Sequence, residues 1–263
     1  MLQRVIKKPR IGLYTAGLKA YWDQFPGMYE RLKSYGKFIE SKLAQWGEVF
    51  NYGIVDDESA GIKAGEWFNT KNTDIVFAHC GTYFTSSSIL PIHQLCKSPV
   101  VFLNLQPTAR MEYSKTGTAE WLCNCSACPA PEAANAFERA GLKFRIVNGL
   151  LGMNHSYPGS IADENTENAD EAKKAWEQIR QWVMAAMVKR NLMGSRFGYL
   201  GGAYCGMLDM YSDFTMIQAQ TGVITKIIEM CDFNSFLGQV TDAEIKYQTD
   251  QINDFFVIEG DSP

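Results

Sequence analysis

The chain has 263 residues, 46% of them hydrophobic and 21% charged, with a formal net charge of -4. That composition supports a packed core and argues against disorder, and without a basic excess it carries no electrostatic footprint for nucleic acid. No apolar run has the length needed to span a bilayer, and the basic N-terminus MLQRVIKKPR has no apolar stretch of a secretory signal behind it, so the seven cysteines are read as reduced thiols of a cytoplasmic protein.

In chain order, RIGLYTA (10–16) predicts a strand that breaks at Gly17. The loop that follows holds Leu18, Lys19, Tyr21, Trp22, Asp23, Gln24 and Phe25 before Pro26-Gly27, about twice the length of a tight strand-to-helix turn. Residues 26–46 read as a helix, with Met28, Leu32, Tyr35, Phe38, Ile39 and Leu43 at three- and four-residue spacing. GEVFNYGIV (47–55) is a second strand, and Asp56, Asp57 and Ser59 supply N-cap chemistry for a helix over 58–70. TDIVFAHC (73–80) is a third strand, continuously apolar as in a sheet covered on both faces. A polar loop, GTYFTSSS, precedes a short helix from Ile89 to Cys96. SPVVFLNLQ (98–106), a long loop, a helix over 130–140 closed by Gly141 and a fifth strand, LKFRIVNG (142–149), come next. Residues 167–190 form a long amphipathic helix.

Repeated strand–helix units imply a doubly wound parallel sheet of flavodoxin or Rossmann type over residues 1–193, with ligands outside the carboxyl ends of the strands. The loops at 17–25, 79–88 and 105–130 should share that rim. The pattern restarts at SRFGYLGGAY (195–204), with a helix over 206–220, a strand TKIIEM (225–230), a polar helix over 241–255 and FFVI as a third strand. Residues 194–263 thus read as a second, incomplete α/β domain, too small to stand alone, so that it either packs on the first or is truncated.

Chemistry-bearing residues fall in a few places. CNCSACP (123–129) has the Cys125-x-x-Cys128 spacing of a metal or redox pair, yet no second pair accompanies it, so pocket thiols, a metal site and a redox site stay open. His79 ends a strand at the expected rim and is either a ligand contact or a hydrogen-bonded strand end. His93, beside Pro91, reads as structural, and His155 lies on a loop. GYLGGAYCG (198–206) lacks the spacing of either phosphate-binding glycine motif. DMYSDFT (209–215) holds two carboxylates four apart, on one face if helical, or else a cap or solvated face.

Taken together, RIGLYTAGLKAYWDQFPG, TDIVFAHCGTYFTSSSILP, PVVFLNLQPTA, CNCSACPAPEAANAFERAGLKF and SRFGYLGGAYCGMLDMYSD resemble the N-terminal portion of the L-arabinose and L-fucose isomerase superfamily. The resemblance implies a three-domain cytoplasmic enzyme of nearly twice this length, associating into homo-oligomers (trimers or hexamers). It implies interconversion of aldose and ketose, the sugar a pentose or deoxyhexose, with a divalent ion, usually manganese (Mn2+), polarising the sugar oxygens. Leu18, Ala20 and Tyr21 fall at substrate-contact positions, and Tyr83 or Phe84 near an aromatic that closes the site. Cys128 stands where the family carries histidine and Glu132 where it carries arginine; Arg196 to Gly201, with Tyr199, fall near another substrate-facing segment. Lys19, Tyr21, His79 and Tyr83 are the residues expected to position sugar hydroxyls. The family's metal ligands lie beyond Pro263, so this chain alone is expected to be inactive. The alternatives are a non-catalytic sugar-binding or regulatory module and a thiol-dependent enzyme using Cys125 or Cys128.

Overall fold

The computed structural model describes residues 6–202, 206–207 and 212–257. In chain order its elements are β1 (Arg10–Ala16), α1 (Ala20–Gln24), α2 (Met28–Leu43), β2 (Glu48–Val55), α3 (Glu58–Lys71), β3 (Ile75–Cys80), α4 (Ser86–Leu95), β4 (Val100–Gln106), α5 (Thr118–Cys123), α6 (Pro129–Arg139), β5 (Phe144–Leu150) and α7 (Asp170–Leu192). There follow β6 (Arg196–Leu200), α8 (Phe214–Thr221), β7 (Ile224–Ile228), α9 (Met230–Leu237) and α10 (Asp242–Phe255).

β1 to β5 form one parallel sheet in the order β2-β1-β3-β4-β5, flanked by helices. The alternation along each strand sorts side chains to the two faces. Ile11, Leu13, Ile75, Phe77, Val101 and Leu103 pack with Leu32, Tyr35 and Ile39 of α2 and Ile179 and Val183 of α7. Tyr14, Val76, Ala78 and Phe102 pack with Phe68 of α3, Ile89 and Ile92 of α4 and Phe137 of α6. Both faces are dry, which is why β3 is buried at every position and its sequence shows no polar alternation.

Local chemistry explains the element ends. Asp57 caps α3 by accepting from the Ala60 amide at 2.8 Å. Gly27, at φ +89, supplies the left-handed residue that starts α2 after the opening loop. α3 and α4 touch backbone to backbone, since a Cβ at Gly61 would stand 2.0 Å from the Ser88 carbonyl oxygen.

The chain divides into two compact units, Met1–Asn191 and Leu192–Pro263. In the second, β6 and β7 pair in parallel, Tyr199 meets Phe214 edge-on at 5.1 Å between ring centres, and Asp213 caps α8 through the Met216 amide at 2.9 Å. A two-stranded sheet of this kind buries too little to establish a second domain.

Several expectations are corrected. The long loops after β1 and β4 contain the short helices α1 and α5, and α9 lies where no helix was read. FFVI does not form a strand: Phe255 ends α10, Phe256 is its C-cap, Val257 lies outside any strand, and Ile258 lies outside the described residues. α8 begins at Phe214, while residues 208–211, with one carboxylate of DMYSDFT, lie outside the described residues, as do residues 203–205 of the glycine-rich stretch.

Candidate functional site

In an open parallel sheet, connections leaving two adjacent strands toward opposite faces open a crevice at their carboxyl ends. Here the chain leaves β1 for α2 on one face and leaves β3 for α4 on the other. β1 and β3 are neighbours in the sheet, so the switch point falls between them.

The opening loop is pinned there by backbone hydrogen bonds. Gly17 N donates to Val55 O at 2.9 Å, Lys19 N to Asp56 O at 3.3 Å, and Gly81 N to Ala16 O at 3.1 Å. The Trp22 indole donates to Asp56 Oδ2 at 2.6 Å, and the Lys19 ammonium donates to Asp57 Oδ2 at 2.9 Å. Leu18 is half-buried and its carbonyl accepts from the Tyr21 amide at 3.0 Å. Tyr21 is half-buried against Phe25, edge-on at 5.8 Å.

Across the switch point, the Tyr83 hydroxyl donates to Glu132 Oε2 at 3.0 Å. Glu132 Oε1 accepts from the Ser86 amide at 3.3 Å and the Ser86 hydroxyl at 3.2 Å. Ser86 is the first residue of α4, so the carboxylate sits at the positive end of that helix. The hydrogen bond to Glu132 raises the Tyr83 phenol pKa, and Glu132's charge, burial, Tyr21 and Cys125 add to it. Burial and Cys125 raise the Tyr21 phenol. Tyr21, Tyr83, Glu132 and Cys125 therefore share one neighbourhood. Cys125 is buried and its thiol is pushed up to about 12, chiefly by burial. Cys128 is exposed and stands at the start of α6.

His79 is not part of this surface. It is 1% exposed, its Nδ1 lies 3.2 Å from Thr15 Oγ1, and burial pushes its pKa down to about 3. It is a neutral interior histidine between two strands. His93 is likewise interior, with Nε2 3.1 Å from the Tyr14 hydroxyl, and exposed His155 meets its neighbour Asn154 at 2.7 Å. Tyr199 belongs to the second unit.

The rim also carries a cavity of about 330 Å³ built from loops after β1, β4 and β5, with Phe25, Met28, Tyr157 and Ile161 as walls and Arg31 and Glu120 in its lining. Beneath it lies a buried polar cluster that sequence reasoning missed. Arg31 makes a bidentate pair with Glu120, at 2.6 and 2.9 Å. It also binds Glu164 and donates to the Tyr35 hydroxyl at 2.6 Å, while that hydroxyl donates to Glu164. The Tyr157 amide donates to the second Glu164 oxygen at 2.7 Å. Burial would raise the Glu120 pKa, but Arg31 and the Ala162 and Ile161 amides outweigh it and hold it lowered. The cluster ties α2 to α5 and to the loop after β5. One signal was available: a cation on the apolar stripe of α2, between Met28 and Tyr35. Its partners, 89 and 133 residues away, have no mark in the sequence.

No family model matches the chain, and no curated protein matches it. The crystal structure of a "putative acylhydrolase" from Bacteroides fragilis is similar over 71% of this chain and 92% of its own, at 11% identity and a TM-score of 0.35. A second solved structure is similar over 66% of this chain and 98% of its own, at 10% identity and a TM-score of 0.36. The expected membership of the arabinose and fucose isomerase superfamily is corrected by these findings, since no family model and no curated protein of that superfamily, or of any other, matches the chain. The aldose–ketose isomerase activity, and the assignment as an intramolecular oxidoreductase, are withdrawn with it. At such TM-scores the likenesses carry no argument for another activity. Among the described residues no group of three or more His, Cys, Asp or Glu is placed to hold a metal ion. No described helix is long and apolar enough to cross a membrane.

Proposed function

We propose that the carboxyl edge of the parallel sheet, at the switch point between β1 and β3, binds a small neutral hydroxylated molecule of the size of a pentose or deoxyhexose. The observation that carries this reading is the convergence of Tyr21, Tyr83 and Glu132 there, from α1, the loop after β3 and α6. Aromatic faces with hydroxyl and carboxylate partners are the means by which proteins hold sugar-like molecules, the rings covering C–H surface and the polar atoms taking hydroxyls. The charge pattern disfavours an anion. The Ser86 amide at the start of α4 is already taken by Glu132, and Lys19 is paired with Asp57. Leu18, Lys19 and Cys128 border the same edge and would shape its rim; His79 is left out because it is buried. The six described cysteines are free thiols, which fits a reducing compartment such as the cytoplasm.

The test is a fluorescence or NMR titration with free pentoses and 6-deoxyhexoses, without added metal. Tyr83→Phe removes the phenolic hydroxyl and should weaken binding about fivefold to tenfold, on the order of 1 kcal/mol. Tyr21→Ala removes an aromatic face and should weaken it further. The reading fails if no sugar in the panel shows saturable binding, or if both variants bind like the parent.

A further inference from the structure

The opposite end of the sheet carries a second cavity, of about 400 Å³, at the amino ends of β4 and β5. Its volume lies in the range of small-molecule sites. The lining is mostly apolar strand and loop, with His93 from α4 and Trp182 from α7, and it includes Lys97, Lys143, Arg145 and Lys189. All four cations are exposed, and among the described residues none of them is in an ion pair. Lys97 and Arg145 reach only the backbone carbonyls of Gln94, at 2.6 Å, and Phe144, at 2.8 Å. Glu138 lines an adjoining depression beside Lys143 and Arg145 and takes no part in an ion pair either.

A second observation concerns His93. It is 3% exposed; Nε2 meets Tyr14, and Nδ1 has no hydrogen-bond partner. Buried polar atoms are nearly always satisfied, and one left open in the lining of a cavity marks unused hydrogen-bonding capacity.

We propose that this cavity binds a small anionic amphiphile: one acidic group held by Lys97, Lys143, Arg145 and Lys189, and an aromatic or short aliphatic body against Trp182 and the apolar wall. An anion with no apolar body would leave the wall unused. A neutral apolar molecule would leave the four cations of the rim without a counter-charge from the ligand.

The probe is 2-naphthoate, titrated into the full chain at low salt and followed by Trp fluorescence, with 2-naphthalenemethanol as the uncharged isostere. Saturable one-to-one binding is expected, at least tenfold tighter for naphthoate than for the alcohol, and weakening with added salt. The double variant Lys143→Ser/Arg145→Ser changes only exposed side chains, so it should keep the parent's circular dichroism and lose at least tenfold in naphthoate affinity. Trp182→Phe should abolish the fluorescence change while calorimetry still detects binding. The proposal is overturned by any of three results: no saturation with naphthoate, equal affinity for the two probes, or a folded double variant that binds like the parent.

Discussion

Arg31→Met tests the buried cluster most directly. Arg31, Glu120 and Glu164 are 7%, 5% and 0% exposed. Removing the guanidinium strands two buried carboxylates without their cation. Breaking a buried ion pair from one side costs about 3–5 kcal/mol, and the loss of the Tyr35 contact pushes toward the upper figure. For a folded unit of this size each kcal/mol moves Tm by about 2–4 °C, so the variant should melt about 6–20 °C below the parent. Thermal melts by circular dichroism at neutral pH give the number directly. Acid should narrow the gap, because protonation discharges the stranded groups. In the parent the sign is opposite for Glu120: its folded pKa is lowered, so its contribution is present at neutral pH and is lost as pH falls through the folded value. The triple variant Arg31→Met, Glu120→Leu, Glu164→Leu should recover much of the loss, since an apolar replacement leaves no charge unpaired. A shift for Arg31→Met smaller than about 3 °C would refute the reasoning. A triple variant no more stable than the single one would move the cost from charge to packing.

Two further outcomes are expected. His79 and His93 both have folded pKa values pushed down to about 3 by burial. The unfolded chain takes up protons first, so each histidine should cost stability as pH falls below about 6.5, roughly 1.4 kcal/mol apiece at pH 5.5. Urea titrations at pH 7.5 and 5.5 should show that loss, and a stability independent of pH over this range would mean that the rings are not held neutral. For the thiols, Cys128 and Cys231 are exposed, whereas Cys80, Cys96, Cys123 and Cys125 are buried. Burial holds the Cys80 and Cys125 thiols at about 12 and Cys123 at about 11. Iodoacetamide at pH 8 should therefore label Cys128 and Cys231 well before those four, as read by peptide mass spectrometry. Labelling of Cys125 at the rate of Cys128 would show that the turn between α5 and α6 opens.

What the sequence determined by itself is the order and kind of the elements in the first unit. The five strands and the helices α2, α3, α4, α6 and α7 were legible because apolar spacing and capping chemistry act over a few residues. Asp57 announces α3, and the unbroken apolar run of β3 announces a sheet covered on both sides. The rim was legible for a topological reason, since strands joined by helical crossovers must present their carboxyl ends together. The short helices α1 and α5 were not, because so few residues carry no period to read. Tertiary structure alone decided the rest. It turned His79 inward against Thr15, at the end of a strand where sequence places it equally well facing a ligand. It set Glu132 on Tyr83 and on the start of α4, from a different helix. It brought Arg31, Glu120 and Glu164 together, and it set four cations at the cavity that Trp182 also lines. Each of these depends on side chains far apart in the chain meeting in one place, and their pairing is fixed by how helices dock on the sheet, which leaves no local pattern behind.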